Sequence, residues 1–254
     1  MVLILRIIKG EIKKSKRTYG FLVSILIPIM ICGLQFLIFF IKHEYFAKSG
    51  MNPWKIMGMN LFNIYGMFVM PMYVVLIAYL INFTEHRANS WKYLFCLPIP
   101  KFQIYAGKII VLLIWLILFC TSTYLLFLLS GQLLSNLRPD IGFQDYTILD
   151  ILSTTMAKMF LGSLGILAIQ FFLSIYWKDF IRPVGIGLGL TIAGIILKSW
   201  DYVYIFPYAH PGLINDDFRQ MDLSVATTPV IMSIIYGILF FSVGYYLLSK
   251  KEVL

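Results

Sequence analysis

Charge is scarce in this chain. Of 254 residues, 13% are Asp, Glu, Lys or Arg and 60% are hydrophobic, against about 25% and about 45–50% in a soluble globular domain. One soluble core of this length cannot hide that much apolar surface, and high hydrophobicity also excludes a disordered chain. Cysteine is equally sparse: Cys32, Cys96 and Cys120 form no disulfide framework, metal set or redox pair. There is no Gly-x-x-x-x-Gly-Lys-[Ser/Thr] loop. Gly107-Lys108 is only a fragment of one, with Phe102 in place of the first glycine, so the chain cannot hydrolyse ATP by that route. His43, His86 and His210 are scattered, with no metal-ligand spacing. Gly185-x-Gly187-x-Gly189 follows no strand and is not a dinucleotide fingerprint; small residues there suit close helix packing. No acid lies within an apolar run, which argues against a proton- or sodium-coupled carrier.

What the sequence does have is long apolar runs. A bilayer core of about 30 Å takes roughly 20 apolar residues as a helix. Six runs qualify: 21–41, 59–83, 109–130, 154–176, 183–197 and 228–248. The fold class expected is therefore all-α integral membrane, six transmembrane helices in a single domain spanning 1–254, preceded by an interfacial arm over 1–20. The first run is too long for a signal-peptide core and is read as a retained span. The chain carries a net charge of +9, which in a soluble protein would suggest nucleic acid. In a membrane protein the distribution decides instead. Fourteen of the 21 Lys and Arg lie in the arm, the second and fourth connections and the tail. Six lie on the other side, with Lys158 inside a span. Both termini are expected in the cytoplasm, in a multi-pass protein of the cell membrane.

Residues 2–18 are amphipathic. Arg6, Lys9, Lys13 and Lys16 recur at helical spacing, and Leu5, Ile8 and Ile12 form another stripe. Such a helix lies in the headgroup plane with its basic face toward anionic lipid. In the second connection, Thr84 is a candidate N-cap. Arg87, Trp91, Leu94 and Phe95 follow at helical spacing, and Pro98 ends the pattern.

These residues carry a resemblance. Glu85 closing the second run, Asn89-Ser90-Trp91-Lys92, Leu97-Pro98-Ile99-Pro100 and Tyr105-Ala106-Gly107-Lys108 resemble the permease subunits of ABC-2-type transporters, particularly the small six-span ones of lantibiotic immunity and bacitracin resistance. The arm, the six spans and the aromatic, Pro-rich segment 198–227 fit the same likeness. It implies that 84–98 is a cytoplasmic coupling helix seated on a separate ATPase subunit through Glu85, Arg87, Trp91, Lys92, Leu94 and Phe95. It implies ATP and Mg bound by that partner and none by this chain, and a second permease subunit, identical or related. It implies an amphipathic or hydrophobic substrate, such as a peptide antibiotic or lipid, on a path near Phe36, Met67, Met70, Tyr73 and Lys158. It also implies that 198–227 dips back toward the membrane. An integral-membrane enzyme acting on lipid, or a non-enzymatic assembly or sensor protein, are the alternative readings.

Among the remaining polar residues, Lys158 is expected to snorkel to the outer surface, and Asp216, Asp217 and Asp222 to lie in a solvated loop. Gln35 and Gln170 are candidates for bonds between helices. Pro28 and Pro71 are candidate kinks.

Overall fold

The computed structural model describes residues 2–15, 19–47, 52–87 and 99–250. Among them there is no strand. Six helical stretches are long and apolar enough to cross a membrane: Gly20–Ile41, Pro53–Phe83, Lys101–Leu137, Leu149–Tyr176, Ile181–Ser199 and Thr228–Lys250. An arm helix, α1 (Val2–Ser15), precedes span one, α2 (Gly20–Ile41); a short α3 (His43–Ala47) follows it. Span two comprises α4 (Pro53–Ile64), a π-helical turn (Tyr65–Val69) and α5 (Met70–Arg87). Span three is α6 (Lys101–Leu137), and span four is α7 (Leu149–Gly162) followed by α8 (Leu164–Tyr176). Span five is α9 (Ile181–Ile196), then come α10 (His210–Gln220) and span six, α11 (Thr228–Lys250). The arm, the last turn of α5, the start of α6 and the end of α11 share one face of the bundle, called here the terminal face. The short α3 and the connections 138–148 and 200–227 share the distal face.

In lipid the hydrophobic effect does not drive helices together, so close packing and internal hydrogen bonds must. Tyr73 shows both. Its ring stacks on Phe119 with centroids 3.7 Å apart, its hydroxyl donates to the Trp115 carbonyl at 2.8 Å, and it lies 2.7 Å from the Ser24 hydroxyl. Spans one, two and three meet there. Gln35 donates to the Met57 carbonyl and Gln170 to the Tyr208 hydroxyl, so both glutamines bond across elements. Thr123 instead bonds back to Phe119 on its own helix. Meanwhile Leu26, Met30, Leu34 and Ile38 on α2, and Ile181, Ile186, Ile192 and Ile196 on α9, face outward, as a lipid-facing surface requires.

Two spans are irregular, for identifiable reasons. Pro71 has no N–H, so the Met67 carbonyl loses its helical partner. Just before it the ladder widens to a π turn, with Met70 N–H bonding to Tyr65 O, a common accommodation at such points. Pro28, by contrast, sits inside an uninterrupted α2. Span four breaks at Ser163. The polar groups freed there are caught by span six: the Ser233 hydroxyl donates to the Gly162 carbonyl at 2.8 Å and accepts from the Gly165 N–H at 2.9 Å. Gly162 and Gly165 thus pack on Ile214 and on Ser233 and Tyr236, while Gly187 packs on Val75 and Gln170 and Gly185 and Gly189 face open space. The glycines serve three different contacts rather than one shared seam.

The segment after span five folds back against the bundle. Its α10 packs on α4, the π turn, α7 and α11, and the Pro211 carbonyl occupies the space that a side chain at Gly66 would need. Its end corrects two expectations. Met221 takes a left-handed conformation (φ 58°). With Asp222 N–H on Asp217 O and Met221 N–H on Phe218 O, it closes the helix as a Schellman turn. That turn delivers Asp222 beside Asp217, and Lys158 reaches both carboxylates, at 3.6 and 3.2 Å, and the Asp222 carbonyl at 2.9 Å. Lys158 is 0% exposed. It does not snorkel to water, because two acids come to it. Those acids are bound rather than merely solvated.

The clamp on span four gives a test. Ser233→Ala leaves a carbonyl and an N–H unpaired in an apolar interior, and the expected loss is about 1–2 kcal/mol. It is read as a lower melting temperature in mild detergent. An unchanged melt would show that the break is satisfied without Ser233.

Candidate functional site

Four charged side chains close a ring on the terminal face. Glu11 and Lys14 come from one side of α1, Glu85 from the last turn of α5 and Lys108 from the second turn of α6. Lys14 Nζ lies 2.5 Å from Glu11 Oε1 and 3.0 Å from Glu85 Oε1. Lys108 Nζ lies 3.2 Å from Glu11 Oε2 and 3.0 Å from Glu85 Oε2, and also donates to the Ile81 carbonyl at 3.0 Å. Each carboxylate therefore bridges both ammonium groups. Lys108, Glu85 and Glu11 are 1%, 2% and 4% exposed, and only Lys14 reaches water. Burial opposes ionisation of Glu85, but Lys108 and Lys14 outweigh it and hold its carboxyl below the usual range. Burial likewise opposes the charge on Lys14, and Glu11 and Glu85 outweigh it, so its ammonium is held above the usual range.

The ring has a structural neighbour. Asn82 donates to the Ser174 hydroxyl at 2.8 Å, and His86 Nε2 donates to the Ser174 carbonyl at 2.7 Å. The end of α5 is thus fastened to α8 on one side and to α1 and α6 on the other. Burial keeps His86 below its usual range, outweighing the bond to Ser174. On the distal face burial acts the same way on His210, whose Nε2 donates to the Tyr204 carbonyl at 2.9 Å.

Of the expected partner-binding residues, Glu85 lies in the ring and Arg87 is exposed on the last turn of α5. Trp91, Lys92, Leu94 and Phe95 lie outside the described residues. Thr84 does not cap a new helix, since α5 runs unbroken through it to Arg87. With no proline or glycine between Pro71 and Arg87, nothing stops that helix at the end of its apolar run. The ring's other members were not singled out as a group by sequence. The available signal was Glu11, the sole acid of the first 43 residues in an arm with six Lys and Arg.

The residues expected near a substrate path are dispersed. Phe36 is half-buried on α2, its ring 5.9 Å from Phe40, and Met67 is half-buried against Gly212. Met70 and Tyr73 have no exposed surface, and Lys158 is held by Asp217 and Asp222. An apolar groove of about 430 Å³ opens between α2 and span two, lined by Met30, Leu34, Gln35, Asn60 and Ile64 among others.

An all-α bundle with six helices long and apolar enough to cross a membrane, and an arm bound by buried charges to α5 and α6, is the architecture of a polytopic membrane protein. Residues 7–194 match the family model described as ABC-2 family transporter protein. The chain belongs to that family, the membrane permease components of ABC transporters, which work with an ABC ATPase. Comparison with curated protein sequences gives no match.

Two predictions follow from the ring and its neighbour. Glu85→Leu breaks a buried pair and is expected to cost about 3–5 kcal/mol, whereas adding Lys108→Met should remove most of that loss, because two apolar side chains replace two charges. The check is the melt of the single and double variants in detergent. The second concerns pH. Glu85, with its lowered value, contributes stability that is lost only as pH falls below 4.5, its ordinary value. His86 and His210, also held low, lose theirs as pH falls below 6.5, because the unfolded chain then binds more protons. The first acid-induced loss of stability should therefore begin near 6.5. Replacing both histidines by asparagine should flatten the profile from pH 7 to 5; an unchanged slope would assign that loss elsewhere.

Proposed function

We propose that the 88–98 connection, rooted in the ring of Glu11, Lys14, Glu85 and Lys108, is the coupling element through which a separate ATPase subunit drives this permease. The ring is the observation that carries the reading. It gives the two ends of one connection a common rigid base, which a lever needs if force is to reach the spans. The exposed Arg87 on the last turn of α5 and the aromatic Trp91 and Phe95 supply the charged register and apolar anchor that a docking surface uses. The excess of Lys and Arg on the terminal face supports its placement in the cytoplasm, where ATP is found. ATP and Mg are held by the partner. Two permease subunits, identical or related, complete the transporter.

The substrate in this reading is amphipathic and is taken from the bilayer, as a lipid or a peptide antibiotic would be. Phe36 and Met67, which keep some exposed surface, are the path residues available in the conformation described. Met70 and Tyr73 become available only when spans two and three part. Segment 198–227 acts as a re-entrant cap on the distal side, with Lys158 as the anchor for its α10 rather than as a substrate contact.

Purification of the chain in mild detergent is expected to bring with it a stoichiometric partner bearing a phosphate-loop motif. Trp91→Ala should weaken that assembly by about thirtyfold, the equivalent of roughly 2 kcal/mol, and reduce substrate-dependent ATP hydrolysis while leaving the melt of the spans unchanged. Full assembly and transport by the variant would refute the docking assignment.

A further inference from the structure

The outward side of α1 carries a second arrangement of charge. Around this helix, Ile8, Glu11 and Ile12 face the bundle, while Arg6, Lys9 and Lys13 are exposed on the opposite side. Among the described residues none of these three cations makes an ion pair. The helix's sole acid, Glu11, is turned inward and bound by Lys14 and Lys108, so the charges among the described residues of the exposed side are all positive. Its height is set by packing. Ile7 fills the space beside Gly107, just before α6 enters its apolar run at Ile109. With the apolar run of α6 in the hydrocarbon, this contact puts α1 at its boundary and the outward cations beside the lipid headgroups.

We infer that this stripe is a docking surface for anionic phospholipid headgroups, and that membrane charge, by seating α1, sets the position of the ring and so regulates coupling. Charge complementarity names the occupant: three unpaired cations at headgroup height, each worth roughly fivefold in attachment to an anionic surface, on a helix whose other side is already occupied by protein. The link to regulation is geometric. Glu11 and Lys14 sit on the same two turns as Lys9 and Lys13, so α1 cannot shift at the membrane without carrying the carboxylate that holds Lys108 and the ammonium that holds Glu85. This second step rests on the coupling reading above; lipid docking does not.

The test uses the full chain in vesicles. Gly10 lies on the exposed side, and a side chain added there meets nothing within 4 Å, so Gly10→Cys is a benign reporter in a Cys96→Ser background, Cys32 and Cys120 being buried. Its reaction with an uncharged, impermeant maleimide is compared between phosphatidylcholine vesicles and vesicles containing about one-third phosphatidylglycerol. Labelling is expected to be about fivefold or more slower in the anionic vesicles. The difference should vanish in R6Q/K9Q/K13Q and shrink in high salt. Equal rates in both vesicles overturn lipid docking. Protection that appears only with the ATPase bound, whatever the lipid, overturns it too, and assigns the stripe to the protein partner. In the intact complex, phosphatidylglycerol should stimulate ATP hydrolysis at least twofold in the wild type and not in R6Q/K9Q/K13Q; lipid-dependent labelling with lipid-independent hydrolysis overturns the regulatory link. Absence of any co-purifying ATPase would count against the coupling reading, while the labelling result would still decide the lipid site.

Discussion

A lysine inside a membrane bundle has no water to turn to, and much of this structure is arranged around that constraint. The desolvation cost of a buried ion is several kcal/mol even after relaxation, and attraction to a partner offsets it only when geometry is good and the remaining protons are bonded. The two buried lysines meet the condition differently. At Lys108 the acids Glu85 and Glu11 are themselves buried, so any excess charge would be stranded. A second cation, Lys14, completes a balanced set of two and two. At Lys158 one cation meets two carboxylates, but the side chains of Asp217 and Asp222 are 20% and 39% exposed, and water takes up the surplus. Position decides which solution is used. One is enclosed between α1, α5 and α6, the other lies at the rim of the distal face.

The same constraint governs the backbone. A freed N–H or carbonyl at membrane depth must find a partner within the protein, so an irregular span needs a neighbour beside it. The break in span four has Ser233. The π turn of span two lies against α10, with Pro211 filling the space at Gly66. Both irregular points border α10: Gly66 on the π turn meets Pro211, and Gly162 at the break meets Ile214. A short helix anchored by Lys158 is therefore wedged against the two places where the spans depart from regular helix. These are the points where a span can bend at the least loss of hydrogen bonding.

Much of this fold was legible because lipid imposes length. The six apolar runs fall within the six crossing helices, since roughly 20 residues suffice to cross and few other structures are allowed. Helix ends were less legible. α5 continues past its apolar run to Arg87, and α6 starts at Lys101 rather than Ile109, because a helix stops at a proline, glycine or cap rather than where hydropathy falls. The break at Ser163 was hidden, as its cause lies in Ser233, 70 residues away. The ring was only half visible. Glu85 and Lys108 both belong to the segments that carry the resemblance, but nothing in the sequence pairs them, and Glu11 was not singled out. Long-range charge pairing leaves no periodicity in sequence; a lone acid in a basic arm is the trace it did leave. Lys158 was conspicuous as an intramembrane charge, yet its partners were not, since they are delivered by a left-handed turn at Met221.

What the ring does to motion follows from its closure. If Glu85 and Lys108 were held separately, a push on the 88–98 connection could be absorbed by the two roots moving apart. They contact each other directly and are linked a second time through Lys14 and Glu11, so parting them strains a closed ring of four charge contacts in a buried site, where each is strong. The displacement passes instead into α5 and α6 together. α6 is an unbroken helix of 37 residues and moves as a rod. α5 leads to the π turn, where the ladder is already widened and bending costs little. In the proposed coupling, a force entering at the terminal face is carried stiffly through span three and converted to a bend in the middle of span two, beside Met67 and α10. The proposed coupling requires the root of the connection to be rigid and span two to be compliant, and the sequence supplies the first with buried charge and the second with Pro71.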